Sequence, residues 1–160
     1  MKKIFISTTS FAGFSKEPLE LLEKNNLQIG LNTEGRKLAL DEISIILRKY
    51  DAVIAGTELY TKEVLEQLPN LKVISRLGVG MDNIDINVAK QKGIKVYKTQ
   101  TTPALAVAEL VLGFMLDLAR KISYQNNILK SNIWKKEMGN LLHGKTLGII
   151  GLGVIGKELV

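Results

Sequence analysis

The sequence predicts an α/β protein in which helices cover both faces of a parallel sheet. Two observations indicate this class: short runs rich in β-branched residues alternate with amphipathic stretches, and apolar residues in those stretches recur at helical spacing. We expect strands at Lys3 to Ser7, Gln28 to Leu31, Ala52 to Ala55, Lys72 to Ser75 and Lys95 to Tyr97. Right-handed crossovers would join these strands into one doubly wound sheet.

Four amphipathic stretches between the strands are predicted to be the crossover helices. Their apolar residues stand three and four positions apart, at Leu19 and Leu22, Leu40 to Leu47, Val64 to Leu68, and Ile86 to Ala89. The basic start of the chain is followed by only a very short apolar stretch, which is typical of a first strand and not of a signal peptide. This doubly wound domain should end near Thr99.

The composition is that of an ordinary globular protein. With 160 residues and 46% hydrophobic residues, the chain can bury a core for one domain or one and a half. It contains no cysteine, which excludes disulfides, thiolate catalysis and cysteine-ligated zinc. The absence of cysteine suits a cytoplasmic protein, and we expect that location.

The net charge of +6 leaves three interpretations open: a solvated basic face, steering of anionic ligands, or nucleic-acid binding. The densest basic segment runs from Arg120 to Lys145, where Glu137 is the only acidic residue. Only Tyr124 and Trp134 are aromatic in this segment. We therefore expect a solvated face and no nucleic-acid partner.

The stretch from Ala104 to Leu118 is apolar nearly all round. Pro103 suits the first turn of a helix there. A membrane span would need about 20 apolar residues, and this run is shorter and interrupted by Glu109, so no membrane partner is expected. Such a helix must be buried on more than one side, either between domains or subunits or at the centre of a single core.

The last residues carry a glycine motif after an apolar run. Thr146 to Ile150 is typical of a buried parallel strand, and it leads into Gly151, Leu152, Gly153, Val154, Ile155 and Gly156. The first glycine would allow a tight turn, the second a close pyrophosphate and the third close packing of the following helix. The pattern favours a dinucleotide site over a plain strand-turn-helix. The acidic residue that would distinguish NAD from NADP should lie about twenty residues further on.

A second glycine loop follows the predicted strand that ends at Ser75. Gly78, Val79 and Gly80 could expose backbone N–H groups, and Arg76 adds a cation able to hold a carboxylate or phosphate with two hydrogen bonds. Open α/β sheets bind ligands at this edge. We favour anion binding over a plain tight turn, and we expect Asp82 and Asp85 to cap the next helix.

Four segments together resemble the D-2-hydroxyacid dehydrogenase family, especially its phosphoglycerate dehydrogenase branch. They follow in order along nearly the whole chain: Arg76 to Asp85, Ala106 to Leu110, Leu118 to Arg120, and Leu142 to Gly153. Four motifs at fitting separations are far more specific than the glycine motif alone.

The resemblance implies a flavodoxin-like substrate domain over residues 1–100 and the start of a Rossmann NAD-binding domain over 101–160. It implies NAD as cofactor and a small D-2-hydroxy acid as substrate, with 3-phosphoglycerate of serine biosynthesis as the specific candidate. In this family, backbone N–H groups at Val79 and Gly80 would meet the substrate carboxylate, and Val107 would line the nicotinamide. The helix over 104–120 would form a homodimer interface.

The family's catalytic Arg, Glu and His follow the cofactor fold and have no counterpart in these 160 residues. We expect the chain to be partial, because the strand before the glycine motif would lack sheet partners, and inactive in isolation. His143 is then a structural or surface residue, and Arg76 is a substrate-anion candidate but not the catalytic arginine. The alternatives to an enzyme are a nonenzymatic NAD-responsive regulator and an inactive dimerisation or substrate-domain fragment.

Three positions depart from the family pattern. The segment Ala55 to Glu58 lacks an arginine with which several phosphoglycerate dehydrogenases meet the substrate phosphate. Val154 stands where an arginine is frequent, and Pro103 stands where asparagine is expected. The first departure weakens the assignment of a phosphorylated substrate.

Overall fold

A computed structural model describes residues 1–160, which form two compact units, Met1–Thr102 and Pro103–Val160. The first unit contains the five strands β1 (Lys3–Ile6), β2 (Gln28–Leu31), β3 (Ala52–Ala55), β4 (Val73–Arg76) and β5 (Lys95–Lys98). Its four helices are α1 (Glu17–Lys24), α2 (Leu40–Leu47), α3 (Lys62–Glu66) and α4 (Ile86–Gln91). All five predicted strands are confirmed to within one residue at each end.

The strands form one parallel sheet in the order β2-β1-β3-β4-β5. This order is that of the flavodoxin-like doubly wound fold, so the predicted fold class is confirmed. The connections run outward in opposite directions from β1 and β3, which makes this pair the topological switch point. Ligands of open α/β sheets bind beyond the carboxyl ends of the strands at such a point.

Alternate residues of the central strands supply two separate apolar layers. Phe5 and Val53 face the larger layer, which includes Ile43, Leu47 and Leu65 from the helices. The neighbouring side chains of β1 and β3 turn to the other face, where Ile4, Ile6 and Ile54 pack with Leu19 and Leu22 of α1. The period-two alternation thus buries both faces of the sheet and fixes its register.

Local hydrogen bonds define where two of the helices begin. Asp85 precedes α4, and its carboxylate accepts a hydrogen bond from the Val88 N–H at 3.0 Å, so the predicted cap is confirmed. Asp82 caps no helix, because α4 begins at Ile86, beyond its reach. At α2, the Glu42 carboxylate accepts from the Ala39 N–H at 2.8 Å, which satisfies one of the first unpaired amides.

The second unit contains the helices α5 (Ala104–Arg120), α6 (Ile122–Lys130) and α7 (Val154–Glu158). Lys121 separates α5 from α6 with a φ of 57°, and the Asp117 carboxylate accepts from the Ser123 N–H at 2.6 Å and its hydroxyl at 2.8 Å. No helix of the chain is both long enough and apolar enough to cross a membrane.

One expectation for the second unit is wrong. The run Thr146 to Ile150 is not a strand, because a strand needs a neighbour for its backbone groups and this unit contains none. Trp134, in the basic segment, is 90% exposed.

The burial of α5 within this chain excludes one of its two expected positions. Only Ala104 and Ala108 are buried, and most of its large apolar side chains are exposed, including Leu105, Leu112 and Phe114. Within this chain α5 is therefore not the central helix of a single core.

Candidate functional site

A cavity of about 270 Å³ lies at the carboxyl edge of the sheet, beside the switch point. The segments that follow three of the strands, together with the loop before α2, form its walls. The lining residues are Thr8, Thr9, Ser10, Lys37, Gly56, Thr57, Glu58, Arg76 and Leu77. The segments after β1, β3 and β4 thus converge on one space. Hydroxyl groups, two cations and one carboxylate surround it.

A buried polar network supports one wall of this cavity. The Ser7 hydroxyl donates to Glu58 Oε2 at 2.9 Å, and the Gly56 N–H donates to the same oxygen at 2.9 Å. The Tyr60 hydroxyl lies 3.3 Å from Ser7 Oγ and can donate to it. All of these side chains are buried, so the network fixes Glu58 against the end of the sheet.

The buried Tyr60 is held in its neutral form. Burial raises the pKa of the Tyr60 phenol well above its ordinary value of 10.0; the Ser7 hydrogen bond opposes this with a smaller effect, and the charge of Glu58 adds the smallest increase. Tyr60 therefore keeps its proton and acts as the donor that ends the network. It supports the wall and does not face the cavity.

Arg76 ends β4 and lines the cavity. Its Nη1 donates to the carbonyl oxygen of Leu77, and its guanidinium lies against Gly78, where a Cβ would collide with it. The Nε of Arg76 is buried without a hydrogen-bond partner. A buried donor without a partner is unusual in a folded protein, and an atom so enclosed is out of reach of a group bound in the cavity.

The second glycine loop keeps two backbone amides free. Gly78 has a φ of 141°, and its N–H donates to Thr99 Oγ1 at 2.9 Å, so this amide is already used. The N–H groups of Val79 and Gly80 have no partner within the chain. The predicted anion-binding loop thus retains the amides of Val79 and Gly80 but not that of Gly78. None of these three residues lines the cavity beside Arg76.

Asn83 joins this loop to the loop after β3. Its Nδ2 donates to the carbonyl oxygens of Gly56 at 3.2 Å and Glu58 at 2.6 Å. The Tyr60 N–H donates to the carbonyl oxygen of Asn83 at 2.8 Å, and the Asp85 N–H donates to the carbonyl oxygen of Tyr60 at 2.9 Å. The two loops that follow neighbouring strands are therefore held together by four hydrogen bonds.

The glycine motif in the second unit has the backbone features that such a loop needs. Gly151 has a φ of 92°, Gly153 precedes α7, and nothing lies within 4 Å of a Cβ built at Gly153. A Cβ on the buried Gly156 would stand 2.6 Å from the Gly151 carbonyl oxygen, so α7 approaches the loop as only glycine permits. Leu152, Val154 and Ile155 are exposed.

Two further residues named from the sequence lie elsewhere in the second unit. Val107 is half-buried in the first turn of α5, where its N–H donates to the carbonyl oxygen of Pro103. His143 is exposed in a turn, in agreement with the expectation of a surface residue.

Sequence reasoning missed Ser7, Lys37, Glu58 and Asn83 as site residues. Ser7 and Glu58 are separated by 51 positions, and only the parallel pairing of β1 with β3 brings them together. One signal was available: Glu58 is an acidic residue three positions after a buried strand, at the edge where such sheets bind ligands.

Comparison with known proteins agrees with this arrangement. Residues 6–152 match the catalytic domain of the D-isomer specific 2-hydroxyacid dehydrogenases. The chain is 41% identical over 146 residues to a hydroxypyruvate reductase of Thermotoga maritima, covering 86% of this chain and 48% of that protein. It is 42% identical over 149 residues to a D-3-phosphoglycerate dehydrogenase of Methanocaldococcus jannaschii, covering 91% of this chain and 28% of that protein.

A solved structure has the same fold. The apo structure of D-lactate dehydrogenase from Escherichia coli superposes with a TM-score of 0.80 at 26% identity, over 99% of this chain and 50% of that one. The chain thus spans half or less of the length of these relatives.

Proposed function

The chain belongs to the D-isomer specific 2-hydroxyacid dehydrogenase family, and on that premise we propose that the full-length gene product is an oxidoreductase. It transfers a hydride between a nicotinamide cofactor and C2 of a small D-2-hydroxy acid or its 2-oxo acid. The observation that carries this proposal is the position of Arg76 in the wall of a cavity at the switch point of the sheet.

The substrate-binding role falls to the first unit. Arg76 is placed to hold the carboxylate, since a guanidinium can donate two parallel hydrogen bonds to it. The free amides of Val79 and Gly80 are two further donors of the kind that oriented backbone groups offer to anions. These groups would bind and orient the acid. We assign no proton-transferring residue within the 160 residues.

The glycine loop of the second unit fits a dinucleotide. The left-handed Gly151, the open space at Gly153 and the close approach of Gly156 allow a pyrophosphate to approach the loop between Gly151 and Gly156. NAD bound there supplies the hydride-transfer chemistry, and Val107 is the candidate to line its nicotinamide. Residues 1–100 would then be the substrate domain and 101–160 the beginning of the NAD-binding domain.

The relatives carry two different substrates in their names. One is a D-3-phosphoglycerate dehydrogenase, which agrees with 3-phosphoglycerate and a role in serine biosynthesis. The other is a hydroxypyruvate reductase, whose substrate has the same three-carbon skeleton without the phosphate. Both fit a small 2-oxo acid, and we propose this substrate class for the reaction.

We further propose that the protein is a homodimer through α5. The support is a row of exposed apolar side chains spaced four positions apart along one face of that helix, which a second copy would cover: Leu110, Phe114 and Leu118.

The oxidation of NADH by the full-length gene product with a panel of 2-oxo acids tests the proposed reaction. We expect turnover with at least one three-carbon acid, and replacing Arg76 with Lys should raise its KM, because a lysine cannot form the paired hydrogen bonds. Glu66→Gln, an exposed change on α3, serves as the control that should leave KM unchanged. Absence of turnover with every acid would contradict the proposal.

A further inference from the structure

Glu58 combines near-complete burial with an unused oxygen atom. The residue is 2% exposed, yet it forms part of the cavity wall. Its Oε2 accepts the hydrogen bonds from Ser7 and Gly56, whereas its Oε1 accepts none. Oε1 is not sealed in the interior either, because the only buried side-chain atoms without a partner are Arg76 Nε and Asn83 Oδ1. The free oxygen of Glu58 is therefore accessible at the cavity.

The carboxylate cannot easily turn away from this position. Gly56 lies so close that a Cβ there would stand 3.1 Å from Glu58 Oε2 and 3.0 Å from Thr8 Cβ. The Glu58 carbonyl is also held by Asn83, so both its backbone and its side chain are fixed. A fixed acceptor discriminates between ligand groups better than a mobile one, because it does not relax around the wrong group.

The charges around the cavity assign different tasks to its two sides. Glu58 takes part in none of the ion pairs of the chain, and neither do Lys37 and Arg76. If Arg76 holds the substrate carboxylate, the part of the cavity wall formed by Glu58 presents one free acceptor oxygen to the rest of the substrate, and the exposed Lys37 forms no ion pair with it.

We propose that Glu58 determines substrate specificity by accepting a hydrogen bond from a hydroxyl group at C3 of the 2-oxo acid. The inference rests on the proposed function and names its substrate class: three-carbon acids with a free 3-hydroxyl group. A methyl group at that position leaves Oε1 without a partner. A phosphate, whose oxygens are acceptors and negatively charged, is repelled by the same atom.

Steady-state kinetics of the full-length gene product with three acids tests this assignment. Hydroxypyruvate, pyruvate and 3-phosphohydroxypyruvate share their reacting atoms and differ only at C3. We expect kcat/KM for hydroxypyruvate to exceed that for each of the others by about 10- to 100-fold, the range of a hydrogen bond to a charged group. A preference for the phosphorylated acid, or equal values for hydroxypyruvate and pyruvate, would overturn the proposal.

The variant Glu58→Gln separates recognition from folding. Its amide oxygen can still accept from Ser7 and Gly56, while its Nε2 turns a donor towards the cavity. The preference for hydroxypyruvate over 3-phosphohydroxypyruvate should fall by about tenfold or more, since a charge-assisted acceptor is replaced by a neutral donor. Glu66→Gln removes an exposed carboxylate and should leave the ratio unchanged. An unchanged ratio in folded Glu58→Gln would contradict the assignment, and if the variant does not fold, the three wild-type values decide.

Failure of the proposed function is distinguishable from failure of this inference. If no acid is reduced, the dehydrogenase proposal fails, and calorimetric titration of the wild-type protein with D-glycerate and D-lactate then tests Glu58 alone. Tighter binding of D-glycerate by about tenfold would support its role. Equal affinities would overturn it.

Discussion

Replacing Ser7 with alanine should weaken the end of β1 far more than the loss of one hydroxyl group suggests. Ser7 is fully buried and joins two other buried groups, the Glu58 carboxylate and the Tyr60 hydroxyl. Losing a hydrogen bond to a charged carboxylate costs about 1.5–3 kcal/mol. Leaving the Tyr60 hydroxyl without a partner adds about 1–3 kcal/mol. Allowing for partial relaxation, we expect a loss of about 3 kcal/mol in local stability.

Native-state hydrogen exchange, followed by mass spectrometry on the full-length protein, measures this loss where it occurs. Amides of β1 and β3 should exchange about 150-fold faster, since each 1.36 kcal/mol is a factor of about ten. Ser44→Ala is the matched control, because Ser44 is also buried but donates only to the Asp41 carbonyl oxygen within α2, at 2.8 Å. Its removal leaves no unpaired side chain, and we expect a loss of about 1 kcal/mol or less.

The double variant with Tyr60→Phe isolates the unpaired hydroxyl. Removing the Tyr60 hydroxyl in the Ser7→Ala background deletes the group that Ser7→Ala left unpaired, so the two losses should sum to more than the loss in the double variant. The reasoning is refuted if the losses add to within about 0.5 kcal/mol, or if Ser7→Ala accelerates exchange no more than Ser44→Ala.

Three further predictions address the loop, the charges and the assembly. Gly78→Ala should cost about 1–3 kcal/mol, because φ is 141° there, and should raise the KM for the 2-oxo acid by displacing Arg76; calorimetry and kinetics would detect both effects. The pKa of Glu42 is lowered from 4.5 to about 2, mainly by the hydrogen bond from Arg36, so the stabilisation that Glu42 contributes is complete above pH 4.5 and is lost as the pH falls towards 2. Between these pH values the melting temperature of Glu42→Gln should fall less than that of the wild type. Parallel curves of melting temperature against pH would count against this. Phe114→Glu on α5 should shift sedimentation from dimer to monomer, whereas Leu21→Glu on α1 should not; a wild-type monomer would dismiss the proposed interface.

The sheet could be predicted because its signals are local. Runs such as Ala52 to Ala55 are short, β-branched and separated by helical patterns, and the same residues form β3 in the structure. Thr146 to Ile150 carries the same signal and is not a strand. The reason is that an apolar run indicates only that its side chains favour burial, whereas a parallel strand also needs a neighbouring strand to form hydrogen bonds with its backbone groups.

The candidate site could be predicted only where one loop contains it. Arg76 and the amides of Val79 and Gly80 lie within five residues, so their pattern was visible in the sequence. Ser7 follows β1 and Glu58 lies in the loop after β3, and no spacing along the chain indicates that they meet. Their contact depends on the pairing of β1 with β3, which only the three-dimensional structure provides.

The reaction proposed for the full-length gene product is the transfer of a hydride to C2 of a 2-oxo acid to give the D-hydroxy acid. Its most direct test is the reduction of hydroxypyruvate by the full-length gene product with NADH deuterated at C4 of the nicotinamide, followed by mass spectrometry and chiral separation of the glycerate. We expect D-glycerate with one deuterium at C2. L-glycerate, or glycerate without deuterium from either face of the cofactor, would contradict it.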